Sequence, residues 1–284
     1  MRVIVAQHAG FCWGVKRVVQ MTEALAAARR QPLYTYGPLI HNPAVIQRLA
    51  AAGVKILKSG ITPEELAALE PHAVVIIRAH GVPPHEHAKL TDAGVEVVDG
   101  TCPHVHTIQQ KVAAACSAGR TVVILGDKGH AEVVGLLGFC PARGLVVGTV
   151  EEARQIPLEE PLSVVAQSTL DARTFGELTA WITRHAADVE ILDTRCGATA
   201  RTQDEAIALC GSVDIMVVVG GRNSANTNRL VHLCRAQGVP AVHVETADEL
   251  RRADFAGKHS AGVTAGSSTP DWITAEVVAR LQSW

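Results

Sequence analysis

An α/β fold assembled from three similar modules with largely parallel sheets is what this 284-residue chain predicts, and three observations predict it. Short continuous apolar runs, the kind buried on both faces of a sheet, alternate with stretches of helical periodicity. The string V-E-apolar-apolar-D-x-x-C occurs twice, as Val95–Cys102 and Val189–Cys196, with its cysteines 94 residues apart; a third strand-then-cysteine opening ends at Cys12, 90 residues before Cys102. A second landmark keeps step: Gly53, Gly144 and Gly238, spaced by 91 and 94 residues, each open a short strand that leads to Thr62, Thr149 or Thr246 and then to acids. Threonine followed by acids is a capped helix start. Two landmarks on one period make modules of about 90 residues, with boundaries at 1–100, 101–192 and 193–284.

The elements follow in order. Residues 1–8 read as a strand that begins almost at once, and Val15, Val18, Val19, Thr22, Leu25 and Ala26 then line one face of a helix. The loop Gly37–Pro43 precedes a second apolar-periodic helix. The strongest strands are Val74–Ile77, Val122–Leu125 and Ile215–Val219, one in each module and read as counterparts. Connections are short and no low-complexity linker interrupts them.

With 48% hydrophobic and 19% charged residues the chain has material for a sizeable core, so disorder is excluded. A net charge of −2 gives no footprint for nucleic acid or for an anionic membrane. No run approaches the ~20 apolar residues of a membrane span, and the first residues turn polar too soon for a signal peptide. The expected location is cytoplasmic. Seven cysteines without a CxxC pair argue against a disulfide framework and leave core filling, metal binding or catalysis.

Cys12, Cys102 and Cys196 share one position, after a strand and before a helix, in turns such as Gly100-Thr101-Cys102-Pro103. Ligands of open α/β sheets bind beyond the carboxyl ends of strands. Three soft thiolates there suit zinc or an iron–sulfur cluster, and they also suit plain burial. Cys116, Cys140, Cys210 and Cys234 stand outside that trio and read as small buried hydrophobes.

Other strand ends are rich in His, Ser, Asn and Gly: Gly37–Pro43 with His41, Arg78–Val82 with His80, Leu125–Glu132 with His130, Val219–Arg229 with Ser224 and Asn226, and Gly262–Pro270 with Ser268. Close-approaching glycine backbone, helix N-termini and imidazole or hydroxyl donors are the ingredients of a phosphate site. Ordinary helix capping draws on the same residues.

Together these motifs resemble the 4-hydroxy-3-methylbut-2-enyl diphosphate reductase family, the LytB-type iron–sulfur reductases. Phe11–Arg17 is similar to F-C-x-G-V-x-R, Gly37–Asn42 to G-P-L-I-H-N, Ala79–Gly81 to A-H-G and Asp99–Pro103 to D-x-T-C-P. Gly129–Glu132 is similar to G-H-x-E, Gln167–Thr169 to Q-T-T, Asn223–Arg229 to N-S-x-N-[ST]-x-R and Gly266–Asp271 to G-x-S-x-P-D. The resemblance implies a pseudo-threefold trefoil of the three modules around a central [4Fe–4S] cluster held by Cys12, Cys102 and Cys196, with one iron left open as a Lewis acid toward the substrate hydroxyl. It implies that His41, His80, His130, Ser224, Asn226 and Ser268 bind a small allylic diphosphate, that Ser168 lies near the departing hydroxyl, and that Glu132 supplies a proton. The reaction would be a two-electron reductive dehydroxylation to isopentenyl and dimethylallyl diphosphate, fed by a ferredoxin- or flavodoxin-like donor. Three positions depart from the pattern: Ala225 for a second serine, Ser168 for a threonine and Thr202 for an arginine. They leave room for a paralogue acting on another unsaturated or hydroxylated substrate. A non-catalytic phosphate-ligand binding protein with structural thiols is the alternative of a different class, and a zinc hydrolase is disfavoured because no H-E-x-x-H occurs.

Overall fold

A computed structural model describes residues 1–28 and 31–284. The chain runs β1 (Arg2–Val5), α1 (Trp13–Ala28), β2 (Leu33–Tyr36), α2 (Pro43–Ala51), β3 (Lys55–Leu57), α3 (Pro63–Ala67), β4 (Val74–Ile77), α4 (Pro84–Asp92) and β5 (Glu96–Asp99). It continues α5 (Pro103–Ser117), β6 (Thr121–Leu125), α6 (Ala131–Leu137), β7 (Gly144–Val147), α7 (Val150–Ala153), β8 (Pro161–Ala166), α8 (Ala172–His185) and β9 (Asp188–Leu192). It closes with α9 (Gly197–Cys210), β10 (Ile215–Val219), α10 (Ala225–Ala236), β11 (Ala241–Val244), two short 3₁₀ turns, β12 (Ser260–Ala265) and α11 (Asp271–Gln282).

The strands form three four-stranded sheets, β3-β2-β4-β5, β7-β6-β8-β9 and β11-β10-β12-β1, and every pairing is parallel. This matches the three α/β modules read from the repeats. The same order recurs in each sheet: in two of them the strand that is second in order comes first in the chain, in the third it is preceded only by β1, and in all three an edge strand leads to one of the repeated cysteines. The inner strands β4, β6 and β10 are buried throughout, as continuous Val/Ile runs require. The edge strands β1 and β5 are half exposed. The third sheet takes its edge strand from the first residues of the chain, since β1 pairs with β12.

Two expectations are corrected here. Val74–Ile77 is not the counterpart of Val122–Leu125: β4 lies third in its sheet, where β8 and β12 lie in theirs, whereas β2 matches β6 and β10. Strong hydrophobicity marks burial, and both inner strands of each sheet are buried. Thr62 and Thr149 cap α3 and α7 as read, Thr62 in a full capping box, but Thr246 makes no side-chain cap and is followed only by a 3₁₀ turn.

A third correction concerns the thiols. Cys116 and Cys140, read as independent small hydrophobes, are joined in a disulfide with Cα atoms 5.5 Å apart. The pairing is tertiary, bringing the last turn of α5 to the turn after α6. Cys102, Cys196, Cys210 and Cys234 are not cross-linked.

The chain divides into two compact units, one of Met1–Lys16, Ile40–Gln47 and Cys196–Trp284, the other of Arg17–Leu39 and Arg48–Arg195. The first has a core on each face of the β1-containing sheet, around Val217, Val263 and Val277 on one side and Met216, Val218 and Leu230 on the other. The second buries Val75, Ile77 and Leu90 in one cluster, and Val123 and Val164, then Ile108 and Ile124, in two more.

Gly100 shows how tightly a cysteine turn is packed. A Cβ added there would lie 2.1 Å from the Ile77 carbonyl oxygen and 2.7 Å from Val18. Gly100→Ala is therefore expected to cost about 3 kcal/mol, the upper end for overpacking, read as a lower urea midpoint at unchanged slope.

Candidate active site

Each sheet delivers side chains from its carboxyl-terminal edge at the same three positions. After the edge strands β1, β5 and β9 come Cys12, Cys102 and Cys196, each the residue immediately before a helix. After β2, β6 and β10, each five residues beyond the strand, come His41, His130 and Ser224. After β4, β8 and β12 come His80, Ser168 and Ser268. The equivalence comes from the strand order, which sets His80 with Ser168 rather than with His130.

The cysteine turns share a cause. In the Asp-x-x-Cys strings, Asp99 accepts from the Thr101 amide at 2.8 Å and Asp193 from the Arg195 amide at 3.1 Å. An aspartate that bonds two residues ahead forms a local turn and ends the strand. The Cys102 amide then donates to the Ala79 carbonyl (3.0 Å), and the Cys12 amide to the Ser267 carbonyl (3.3 Å). All three cysteines are partly exposed. A cysteine sulfur is a soft donor of the kind that suits a soft metal or an iron–sulfur cluster, so the residue type at each of these positions fits such a group.

In the first unit, Ser224 caps α10 by accepting from the Thr227 amide at 3.3 Å. Ser268 Oγ lies 3.4 Å from Ser224 Oγ and donates to the His41 carbonyl at 3.3 Å. His41 is followed by Asn42, whose Oδ1 accepts from the Val45 amide at the start of α2. The residues His41, Ser224 and Ser268 are thus tied together within one unit. Cys12 and Cys196 belong to the same unit, where α9 is anchored to the loop ahead of Cys12: Glu205 accepts from the His8 amide (2.8 Å) and Thr202 Oγ1 donates to the His8 carbonyl (3.2 Å). Thr202, the departure from an arginine, is a buried structural residue.

Asn226 carries the clearest mark of a ligand site in this unit. Its side chain is buried, and neither Nδ2 nor Oδ1 has a hydrogen-bond partner among the described residues. A buried unsatisfied amide costs about 1–3 kcal/mol, a cost that an incoming polar ligand removes. Asn226→Leu is accordingly expected to match or exceed the parent in thermal stability while its affinity for an anionic ligand falls at least about tenfold, as loss of a charge-assisted bond implies. Calorimetry on the unliganded and liganded proteins checks both halves. Ser224→Ala should instead lose about 1 kcal/mol of stability as well as affinity, because it removes a cap.

In the second unit the counterpart helix start places Glu132 where α10 has Asn226. Glu132 is only 2% exposed. Its Oε1 accepts from the Ser168 amide and its Oε2 from Ser168 Oγ, both at 2.7 Å. Burial pushes the Glu132 carboxyl above the ordinary glutamate range, against the opposing pull of the two Ser168 hydrogen bonds. His130 caps α6, its Nδ1 accepting from the Glu132 amide at 3.2 Å. The neutral ring therefore carries its proton on Nε2. His80 meets His130 edge to face, with ring centroids 5.3 Å apart. Cys102 lies in the same unit.

His104 escaped the sequence reading. It follows Cys102-Pro103, its Nε2 lies 2.8 Å from the Thr194 carbonyl oxygen, and its charge opposes the rise in the Glu132 pKa. Only its place beside a repeated cysteine could have drawn attention to it. Gln167 escaped as well: fully buried, it accepts from the Asp127 amide at 2.8 Å and donates to Thr169 Oγ1 at 2.9 Å, holding the loops that carry His130 and Ser168.

Residues 3–282 match the LytB protein family. A 4-hydroxy-3-methylbut-2-enyl diphosphate reductase of Aquifex aeolicus is 38% identical over 283 residues, covering 99% of this chain and 96% of that protein. One of Pelobacter propionicus is 41% identical over 281 residues, covering 99% and 98%. A solved structure of (E)-4-hydroxy-3-methyl-but-2-enyl diphosphate reductase, the terminal enzyme of the non-mevalonate pathway, is 37% identical with a TM-score of 0.71 and full coverage of both chains. The Plasmodium falciparum E-1-hydroxy-2-methyl-but-2-enyl-4-diphosphate reductase superposes with a TM-score of 0.92, covering 99% of this chain and 88% of that one; at 24% identity the likeness is one of fold.

Proposed function

The chain belongs to the LytB family, and from that premise we propose that it reduces 4-hydroxy-3-methylbut-2-enyl diphosphate to isopentenyl and dimethylallyl diphosphate. The overall change consumes two electrons and two protons and releases the hydroxyl group as water. The observation that carries this reading is the single cysteine position repeated in three equivalent sheets, each time ahead of a helix. Cys12, Cys102 and Cys196 would hold a [4Fe–4S] cluster. When bound, such a cluster supplies the electrons and a Lewis acid.

The remaining roles fall to the chain's own side chains. His41, His80, His130, Ser224, Asn226 and Ser268 bind the diphosphate; the His130 Nε2–H and the unsatisfied Asn226 amide are donors suited to phosphate oxygens. Glu132, whose carboxyl burial pushes above the ordinary glutamate range, is the acid that supplies a proton. Ser168, already bonded to it through both N–H and O–H, orients the carboxyl and links it to the departing hydroxyl. Electrons come from a small ferredoxin- or flavodoxin-like protein. Among the described residues no helix is long and apolar enough to cross a membrane. We place the protein in the cytoplasm, where such donors and a soluble diphosphate are at hand.

Ala225 and Thr202 do not favour a different substrate. Ala225 opens α10 and withdraws one hydroxyl, worth about 1 kcal/mol, and Thr202 is spent on an internal hydrogen bond. The test is anaerobic purification followed by iron and sulfide analysis and turnover of the diphosphate with a chemically reduced one-electron donor. About four irons and four sulfides per chain with formation of both products supports the reading. A colourless protein that resists reconstitution overturns it in favour of a phosphate-ligand binding protein.

A further inference from the structure

Four cysteines take no part in the proposed chemistry, and they form two pairs. Cys116 and Cys140 are 24 residues apart, and so are Cys210 and Cys234; the step from the first pair to the second is 94 residues, the step that takes Cys102 to Cys196. The reading of all four as unrelated core filling missed this register. The helices repeat with it: α5 and α9 begin at residues 103 and 197, and α6 and α10 at 131 and 225. Cys116 lies in the last turn of α5 and Cys210 ends α9; Cys140 follows α6 and Cys234 lies in the last turn of α10. Residues 1–100 contain only Cys12, so that module has neither member of the pair. Apolar filling gives no reason for two cysteines to occur together or not at all, whereas a cross-link does.

We propose that Cys210 and Cys234 are an oxidisable dithiol that closes to a second disulfide, the counterpart of Cys116–Cys140. Both are buried in one apolar cluster with Ala206, Met216 and Leu230, and their thiols are hydrogen-bonded to each other. The oxidant is a small-molecule disulfide. The thiolate of one cysteine attacks it, forming a mixed disulfide and expelling one small thiol. The thiolate of the other then attacks the mixed disulfide and expels the second. The cysteines give up two electrons and two protons, and the reagent leaves as two thiols.

Burial pushes both thiols upward, Cys234 to about 12, so little thiolate is present and exchange waits for the helix ends to open. The pair is thus a slow, persistent cross-link. It joins the carboxyl ends of α9 and α10, the two helices whose opposite ends carry Cys196 and Ser224. This inference does not depend on the proposed reaction.

The test is to incubate the full-length, cluster-bearing protein without denaturant in oxidised glutathione, quench with acid, alkylate the remaining thiols and map the peptides by mass spectrometry. The expected product is a linked Cys210–Cys234 peptide pair, two hydrogens lighter than its separate parts, accompanied by a rise of several degrees in melting temperature. Cys210→Ala and Cys234→Ala should each lack the link and its share of the rise while retaining Cys116–Cys140. Alkylated Cys210 and Cys234 at the most oxidising ratio, or glutathione adducts that never close, would overturn the proposal.

Discussion

Glu132→Gln should lower turnover by about 10²–10⁴-fold, the usual contribution of a positioned general acid, while leaving iron content and fold intact. Glutamine has the same shape, can still accept from the Ser168 amide and can donate to Ser168 Oγ, so the 2.7 Å contacts have replacements; it cannot give up a proton. The pH dependence separates this from a packing defect. The folded protein holds the Glu132 proton more tightly than the unfolded chain, whose value is near 4.5. The residue's contribution to stability is therefore fully present below that value and is lost as pH rises through the folded one. Glu132→Gln should be at least as stable as the parent above that window, and its remaining turnover should lose the parent's decline on the alkaline side. Unfolding curves and rate profiles across pH decide the matter; an unchanged rate with cluster present would remove Glu132 from the mechanism.

The second large effect concerns the cluster. Cys12→Ser, Cys102→Ser and Cys196→Ser should each leave roughly half or less of the parent's iron and sulfide, because a hard hydroxyl replaces a soft thiolate ligand. Turnover should fall by at least about 10²-fold in each. Cys116→Ala and Cys210→Ala should keep the full iron content, since neither occupies the position before a helix. Equal iron loss across all five would mean that the thiols act through stability alone.

Much of this was legible in the sequence because its physical causes are local. Continuous apolar runs marked β4, β6 and β10 to within a residue, since a strand buried on both faces has no place for polar side chains. The Asp-x-x-Cys strings encode their own turn through an aspartate bonded two residues ahead. Threonines at 62 and 149 are demanded by capping geometry within a few residues, whereas Gly100 is demanded by the distant Ile77 and Val18 packed against it.

The sequence alone determined, through its 90–94-residue period, the three-module α/β fold and the cysteine position shared by the modules. The tertiary structure alone decided which strands are counterparts, because sheet order depends on pairing between distant segments: β1 joins β12, and His80 answers to Ser168. It also joined Cys116 to Cys140, buried Glu132 against the Ser168 hydrogen bonds, and buried the Asn226 amide with no partner among the described residues. Burial and the distance between residues far apart in the chain are properties of packing, and no local pattern records them.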